Sequence, residues 1–255
     1  MAQRSPARKA PVPAARSRRP EHASYDNHHR DVRGGAARAA VFGVSDGLVS
    51  NLALILGVAG AHPAAGLIRL AGLAGLIAGS FSMAAGEYVS MRAQRELLER
   101  ELDLERNEIR RWPDAERREL AVLYEGRGLE PNLAEDLAEA MMRDPERALD
   151  AHAREELGID PTELGSPWQA ASSSFLSFAL GAVIPLAPFL ALSGTAGVVA
   201  AAVVSAVAAL AIGGALSLFT GRSWVKSALR QFLISAVAAG VTYSIGTAVG
   251  VSGIA

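Results

Sequence analysis

Apolar residues fall in five long stretches along this chain, roughly 37–61, 67–91, 170–192, 195–219 and 226–250. Each reaches the ~20 residues an α-helix needs to cross ~30 Å of hydrocarbon, so the pattern predicts five membrane spans. Residues 92–168 are polar and read as three or four helices. The first has no breaker after Met91 and continues span two to Arg111, where Trp112–Pro113 stops it. Asp114 is placed to cap the next, which ends near Gly126 or Gly128. Pro131–Asn132 open a third, and Asp144–Pro145 separate a fourth that ends at Leu157–Gly158. Residues 1–36, rich in Arg, Pro, Ala and His without an apolar run, predict a disordered basic tail. The expected fold is an all-α membrane protein: a tail (1–36), spans one and two (37–91), a helical insert (92–168) and spans three to five (169–255).

Charge sharpens this division. Of 26 acids, three lie in the tail, 21 lie between Arg92 and Trp168, and the remaining two, Asp46 and Glu87, sit inside apolar segments. Arg and Lys crowd the tail and the loop around Arg222, Lys226 and Arg230, while the turns at 62–66 and 193–194 have none. The positive-inside rule then places the tail, the insert and the 220–226 loop in the cytoplasm, with the C-terminus on the opposite side. The absence of cysteine excludes disulfides, thiolate metal sites and cysteine nucleophiles. Arginine and alanine far outnumber lysine, a bias that suggests a GC-rich bacterial coding sequence and hence a bacterial inner membrane.

An acid inside a membrane-length helix costs at least ~2.5–3.5 kcal/mol at the bilayer centre, so Asp46 and Glu87 mark a site for an ion, a proton or a partner. Met83, Glu87 and Met91 recur every four residues on one helix face. A thioether beside a carboxylate suits a borderline transition metal such as Fe²⁺, Mn²⁺, Co²⁺ or Zn²⁺; the same methionines also serve as packing material. Small residues recur in the spans: Gly75 and Gly79 form a G-x-x-x-G, Gly72, Gly79 and Gly86 repeat every seven residues, and Gly213–Gly214 interrupt span four. All permit close helix approach. Pro185 and Pro188 predict a kink in span three.

In the insert, Glu101, Glu105 and Glu108 lie on one side of the first helix, Glu116 and Glu119 repeat the spacing on the second, and His152 and Glu156 form an i,i+4 pair on the last. With 21 acids against 12 Arg, the insert carries a net charge of −9. Metal binding and a solvated charged face are both open; pairs such as Glu96 with Arg100 and Asp103 with Arg106 are ordinary helix-surface charges.

The segments SDGLVSNLALILGVAGA and MAAGEYVSM, the acidic insert ending in REELGI, the Pro-containing span three and the five-span layout resemble the vacuolar iron transporter family from about Ala37 onward. That resemblance implies a dimer that exchanges Fe²⁺ or Mn²⁺ for protons. It implies that Asp46 and Met83 are translocation residues, with Glu87 in the adjoining motif, and that Glu105, Glu108, Glu116, Glu119 and Glu156 collect metal in the cytoplasm. Two family acids fall here near Ala39 and Gly75, and a Met-Met pair of plant members is replaced by His152–Ala153.

The expected protein is a homodimeric transporter, not an enzyme, that exports Fe²⁺ or Mn²⁺ from the cytoplasm in exchange for protons. Its substrate ions are divalent metals; no cofactor and no nucleic-acid partner is called for. The alternatives are a manganese or broad divalent exporter, and a metal-sensing scaffold whose spans merely anchor and dimerise it; acids within the spans argue against an anchor. If the insert glutamates share one ion, its binding must draw their helices together.

Overall fold

The computed structural model describes residues 35–251, with side chains described from Phe42 onward except at 218–220 and 251. The expectation of a disordered tail concerns residues outside that range, apart from 35 and 36, which already belong to the first helix. All regular structure among the described residues is helical: α1 Gly35–Gly60, α2 Ala65–Arg111, α3 Pro113–Gly126, α4 Pro131–Met142, α5 Pro145–Glu155, α6 Pro167–Ala191, α7 Gly194–Thr220 and α8 Trp224–Val251. Five of these, α1, α2, α6, α7 and α8, are long and apolar enough to cross a membrane. The protein is a multi-pass membrane protein.

Helix α1 is the axis of the bundle, packing against α2, α6, α7 and α8. Glycine makes that position possible. A Cβ at Gly47 would run into the Phe178 carbonyl of α6, and one at Gly181 of α6 into the Val44 carbonyl of α1. The backbones therefore meet directly, which in lipid supplies the van der Waals contact that hydrophobic burial cannot. Farther along, Gly246 of α8 makes the same approach to the Gly57 carbonyl. The seven-residue glycine repeat of α2 does not form one seam: Gly72 faces Ile55 and Leu186, Gly79 faces the Phe178 ring, and Gly86 faces open space.

Helix α2 has 47 residues, about 70 Å at ~1.5 Å per residue, more than twice the hydrocarbon thickness. Its second half leaves the bundle and carries the insert. Leu102 and Ile109 of α2 pack with Ala148, Leu149 and Ala153 of α5, while Leu120, Ala121 and Tyr124 of α3 pack with Ala134 and Ala138 of α4 and Ala151 of α5. Helix α5 thus joins the α3–α4 pair to α2. Asp144 caps α5 by accepting the Glu146 N–H at 3.0 Å, whereas Asp114 is not a cap: Pro113 takes the first position of α3, and Asp114 lies within its first turn. Helix α5 ends at Glu155, two residues before the expected stop. Arg106 pairs with Asp103 at 2.7 Å as expected, but Glu96 pairs with Arg92 rather than Arg100.

Within one chain, α2 leaves Leu67, Leu70, Leu73, Ile77 and Phe81 exposed, an apolar face suited to lipid or another span. Helix α6 continues through Pro185 and Pro188 without interruption.

Gly47→Ala is expected to lower the thermal stability of the detergent-solubilised protein by about 1–3 kcal/mol, the cost of overpacking a contact that cannot yield. Gly214→Ala, whose Cβ meets nothing within 4 Å, serves as the control. Equal melting temperatures for the two variants would show that the α1–α6 approach is not limiting.

Candidate metal centre

Two groups of metal-ligating side chains stand at different levels of α2. The first lies at the level of the spans, between α1 and α2 on a side of the bundle that is open in a single chain. Asp46, Ser50, Asn51 and Leu54 of α1, Gly75, Gly79, Ser82 and Met83 of α2, and Phe178 of α6 line a cavity of about 320 Å³. The acid and the thioether singled out in the sequence therefore meet across two helices. Ser50 Oγ donates to Asp46 Oδ1 at 2.7 Å, one turn along α1, which fixes the carboxylate while leaving its other oxygen available.

Glu87 does not line this cavity. It stands one turn beyond Met83 on α2, on the insert side. Met91 is elsewhere too, its Sδ packed at the Gly165 loop, so the i,i+4 stripe divides into a cavity residue, an intermediate acid and a packing residue. Ser50, Asn51 and Ser82 were not singled out in the sequence. The available signal was an uncharged polar residue in the middle of an apolar run, as at Asn51.

The second group lies in the insert, about 33 Å along α2 from Met83. Helix α2 supplies Glu105, α3 supplies Glu116, and α5 supplies His152 and, at its C-cap, Glu156. His152 Nδ1 lies 3.2 Å from Glu105 Oε1, 3.5 Å from Glu156 Oε2 and 3.9 Å from Glu116 Oε2. His152 is fully buried, and Glu105 and Glu116 nearly so. One imidazole nitrogen donates at most one hydrogen bond, so three carboxylates cannot be satisfied by it. Glu105 Oε1 and His152 Nε2 are in fact buried without a hydrogen-bond partner among the described residues.

Ligand atoms held ~2.0–2.2 Å from a common transition-metal ion stand ~3–3.5 Å from one another. One ligand atom each from Glu105, His152 and Glu156 already lies within 4.8 Å of the others. Packing of α5 on α2 thus brings these three ligand atoms near one another in the folded chain. Glu108 and Glu119 are exposed and act on Glu105 and Glu116 through charge rather than contact.

Burial, followed by the charges of Glu156, Glu116, Glu108 and Glu119, pushes the Glu105 carboxyl up from 4.5 to about 7. Glu116 is also raised, chiefly by burial, with His152 opposing the shift. A carboxyl raised in the folded state holds its proton more tightly than in the unfolded chain. Its stabilising contribution is therefore complete below about 4.5 and is lost as pH rises through about 7. The metal-free protein is expected to melt at lower temperature at pH 8 than at pH 5.5, with the difference reduced in Glu105→Gln. A divalent cation competes with that proton, so Co²⁺ should raise the melting temperature more at pH 8 than at pH 6. Thermal melts of the full chain in detergent check both; no response to Co²⁺ at either pH would make the glutamates a plain charged cluster.

The VIT family model matches residues 37–247, a range that holds the insert and all five spans but for the outer ends of α1 and α8. The chain is 33% identical over 232 residues to vacuolar iron transporter 1 of Oryza sativa subsp. japonica, covering 89% of this chain and 92% of that protein. It is 32% identical over 217 residues to vacuolar iron transporter 1 of Eucalyptus grandis, covering 85% and 87%, and 38% identical over 160 residues to the vacuolar iron transporter of Acanthamoeba castellanii, covering 62% and 58%. With a match that spans the bundle and the insert together, the chain belongs to the VIT family.

Proposed function

We propose that this protein carries Fe²⁺, and with it Mn²⁺, out of the cytoplasm across the membrane in exchange for protons. The observation that carries the reading is the meeting of Asp46 and Met83 in one cavity inside the spans. A carboxylate and a thioether from different helices are a poor choice for packing but a suitable pair for a borderline cation. The relatives named as iron transporters favour iron among the borderline metals.

In this reading the insert faces the cytoplasm and gathers the ion at Glu105, Glu116, His152 and Glu156, with Glu108 and Glu119 raising the local negative potential. Glu87 receives it at the inner end of the bundle, and Asp46 and Met83 hold it in the cavity. Release on the far side follows when protons replace the metal on the carboxylates, an O–H bond forming as each metal–oxygen bond breaks. Two copies pair through the open side of the bundle, where Asp46 and the apolar face of α2 are exposed in a single chain. The inner membrane of a bacterium is the proposed location.

Reconstitution into liposomes with an imposed pH gradient, under anaerobic reducing conditions, tests this directly. Uptake of Fe²⁺ or Mn²⁺ should follow the gradient and collapse with it; no movement of either metal would overturn the transport reading. Asp46→Ala should lower uptake at least about tenfold, equivalent to ~1.4 kcal/mol, while the protein remains folded. Met83→Ala should weaken Fe²⁺ uptake more than Mn²⁺ uptake, because only the softer ligand is lost. Equal losses for both metals would assign Met83 to packing.

A further inference from the structure

Asn51 is 1% exposed, in the middle of α1. Its Nδ2 donates to the carbonyl of Ala182 in α6 at 2.7 Å, three residues before Pro185. That bond fixes the orientation of the amide, since only the nitrogen can donate to a carbonyl. Oδ1 therefore faces the opposite way, towards α2, where a Cβ built on Gly75 would come within 2.7 Å of it. It has no hydrogen-bond partner among the described residues, and Asn51 lines the cavity that holds Asp46 and Met83.

A buried amide oxygen without a donor is costly, about 1–3 kcal/mol. The same residue could have been satisfied by any hydroxyl from α2, yet the position opposite it is glycine. An acceptor held rigidly and kept unpaired, on a residue that lines the cavity of Asp46 and Met83, is suited to a cation. The geometry points to Asn51 as a neutral oxygen ligand of the transported ion, completing a set in which Asp46 supplies charge and Met83 a soft donor. Ala182 is its positioning partner: the carbonyl near the proline of α6 holds the amide so that its oxygen cannot turn away. The ligand class is a divalent cation that accepts mixed oxygen and sulfur donors.

This inference rests on the transport reading, and its test must separate the two. Co²⁺ is a redox-inert probe, and the measurement is its initial rate of uptake into liposomes, against concentration, at a fixed pH gradient. Asn51→Ala should raise KM roughly tenfold, the lower end for loss of an oriented partner in a metal site, with the protein still folded and monodisperse. Asn51→Asp cannot donate to Ala182 but keeps an oxygen facing the cavity. It should return KM to the native value or below while lowering the maximal rate, because a second negative charge slows release.

Equilibrium Co²⁺ binding to the same chains in detergent reads the site without transport, in a background carrying Glu105→Gln and Glu156→Gln. There Asn51→Ala should weaken binding by a similar factor and Asn51→Asp restore it. If Asn51→Ala binds and carries Co²⁺ with native affinity, or if Ala and Asp lose affinity alike, Asn51 is only a clamp between α1 and α6 and the inference fails. If the native chain moves no Co²⁺ but binds it in an Asn51-dependent manner, the site stands and the transport reading falls.

Discussion

Unpaired acceptors in surroundings that cannot hydrate them set the terms for this structure. Among the described residues, Asn51 Oδ1 in the bundle is buried without a hydrogen-bond partner, and Glu105 Oε1 in the insert has near it only His152 Nδ1, which it shares with Glu116 and Glu156; an under-satisfied buried acceptor costs free energy that the rest of the fold must offset. Burial alone would be expected to recruit a serine, a lysine or a backbone N–H to each. Instead Ser50, the neighbour of Asn51 in α1, is committed to Asp46, and Ser80 donates back to the Leu76 carbonyl of its own helix. In the proposed reading, a cation is what these acceptors receive.

Two features of the fold hold these acceptors in place. Close glycine contacts press α1 against α6 and α8, so that the α1 side chains near Asp46 have no freedom to retreat into a looser bundle. Helix α2, continuous from Ala65 to Arg111, carries Met83 and Glu105 on one rod, so packing in the insert and packing in the membrane share an element. Helix α5 then seats His152 against α2 through Leu149 and Ala153, which pack with Leu102 and Ile109. The apolar contacts of the insert position its charged group.

Much of this was legible in the sequence for definite reasons. The spans are long, apolar and separated by Pro, Gly or charge, and Trp112–Pro113, Pro131 and Asp144–Pro145 mark helix boundaries that tertiary contacts do not override. Which glutamates meet was not legible. Glu101, Glu105 and Glu108 are equivalent by spacing, and only the docking of α3 and α5 on α2 selects Glu105 for burial. The same limit explains Glu87: helical spacing gives the face of a residue but not which neighbour covers it. Asn51 carries no charge and so does not stand out in the sequence, although an amide inside an apolar helix must find partners just as an acid must.

The two groups differ in a way that suits an ion moving from one to the other. The insert offers up to three carboxylates and an imidazole, backed by the charges of Glu108 and Glu119, and in the proposed reading the proton on Glu105 competes with the metal. The bundle offers a single carboxylate, a thioether and an amide oxygen. An ion that passes through a membrane must be bound firmly enough to enter and weakly enough to leave. In the proposed transport reading, the bundle has neutral donors where the insert has its second and third charges, which lowers the electrostatic hold, so a cation shed from the insert is held in the bundle without being trapped there. A second acid in place of Asn51 would strengthen that hold at the one point where release is required, which gives a physical reason for an amide at this position rather than a carboxylate.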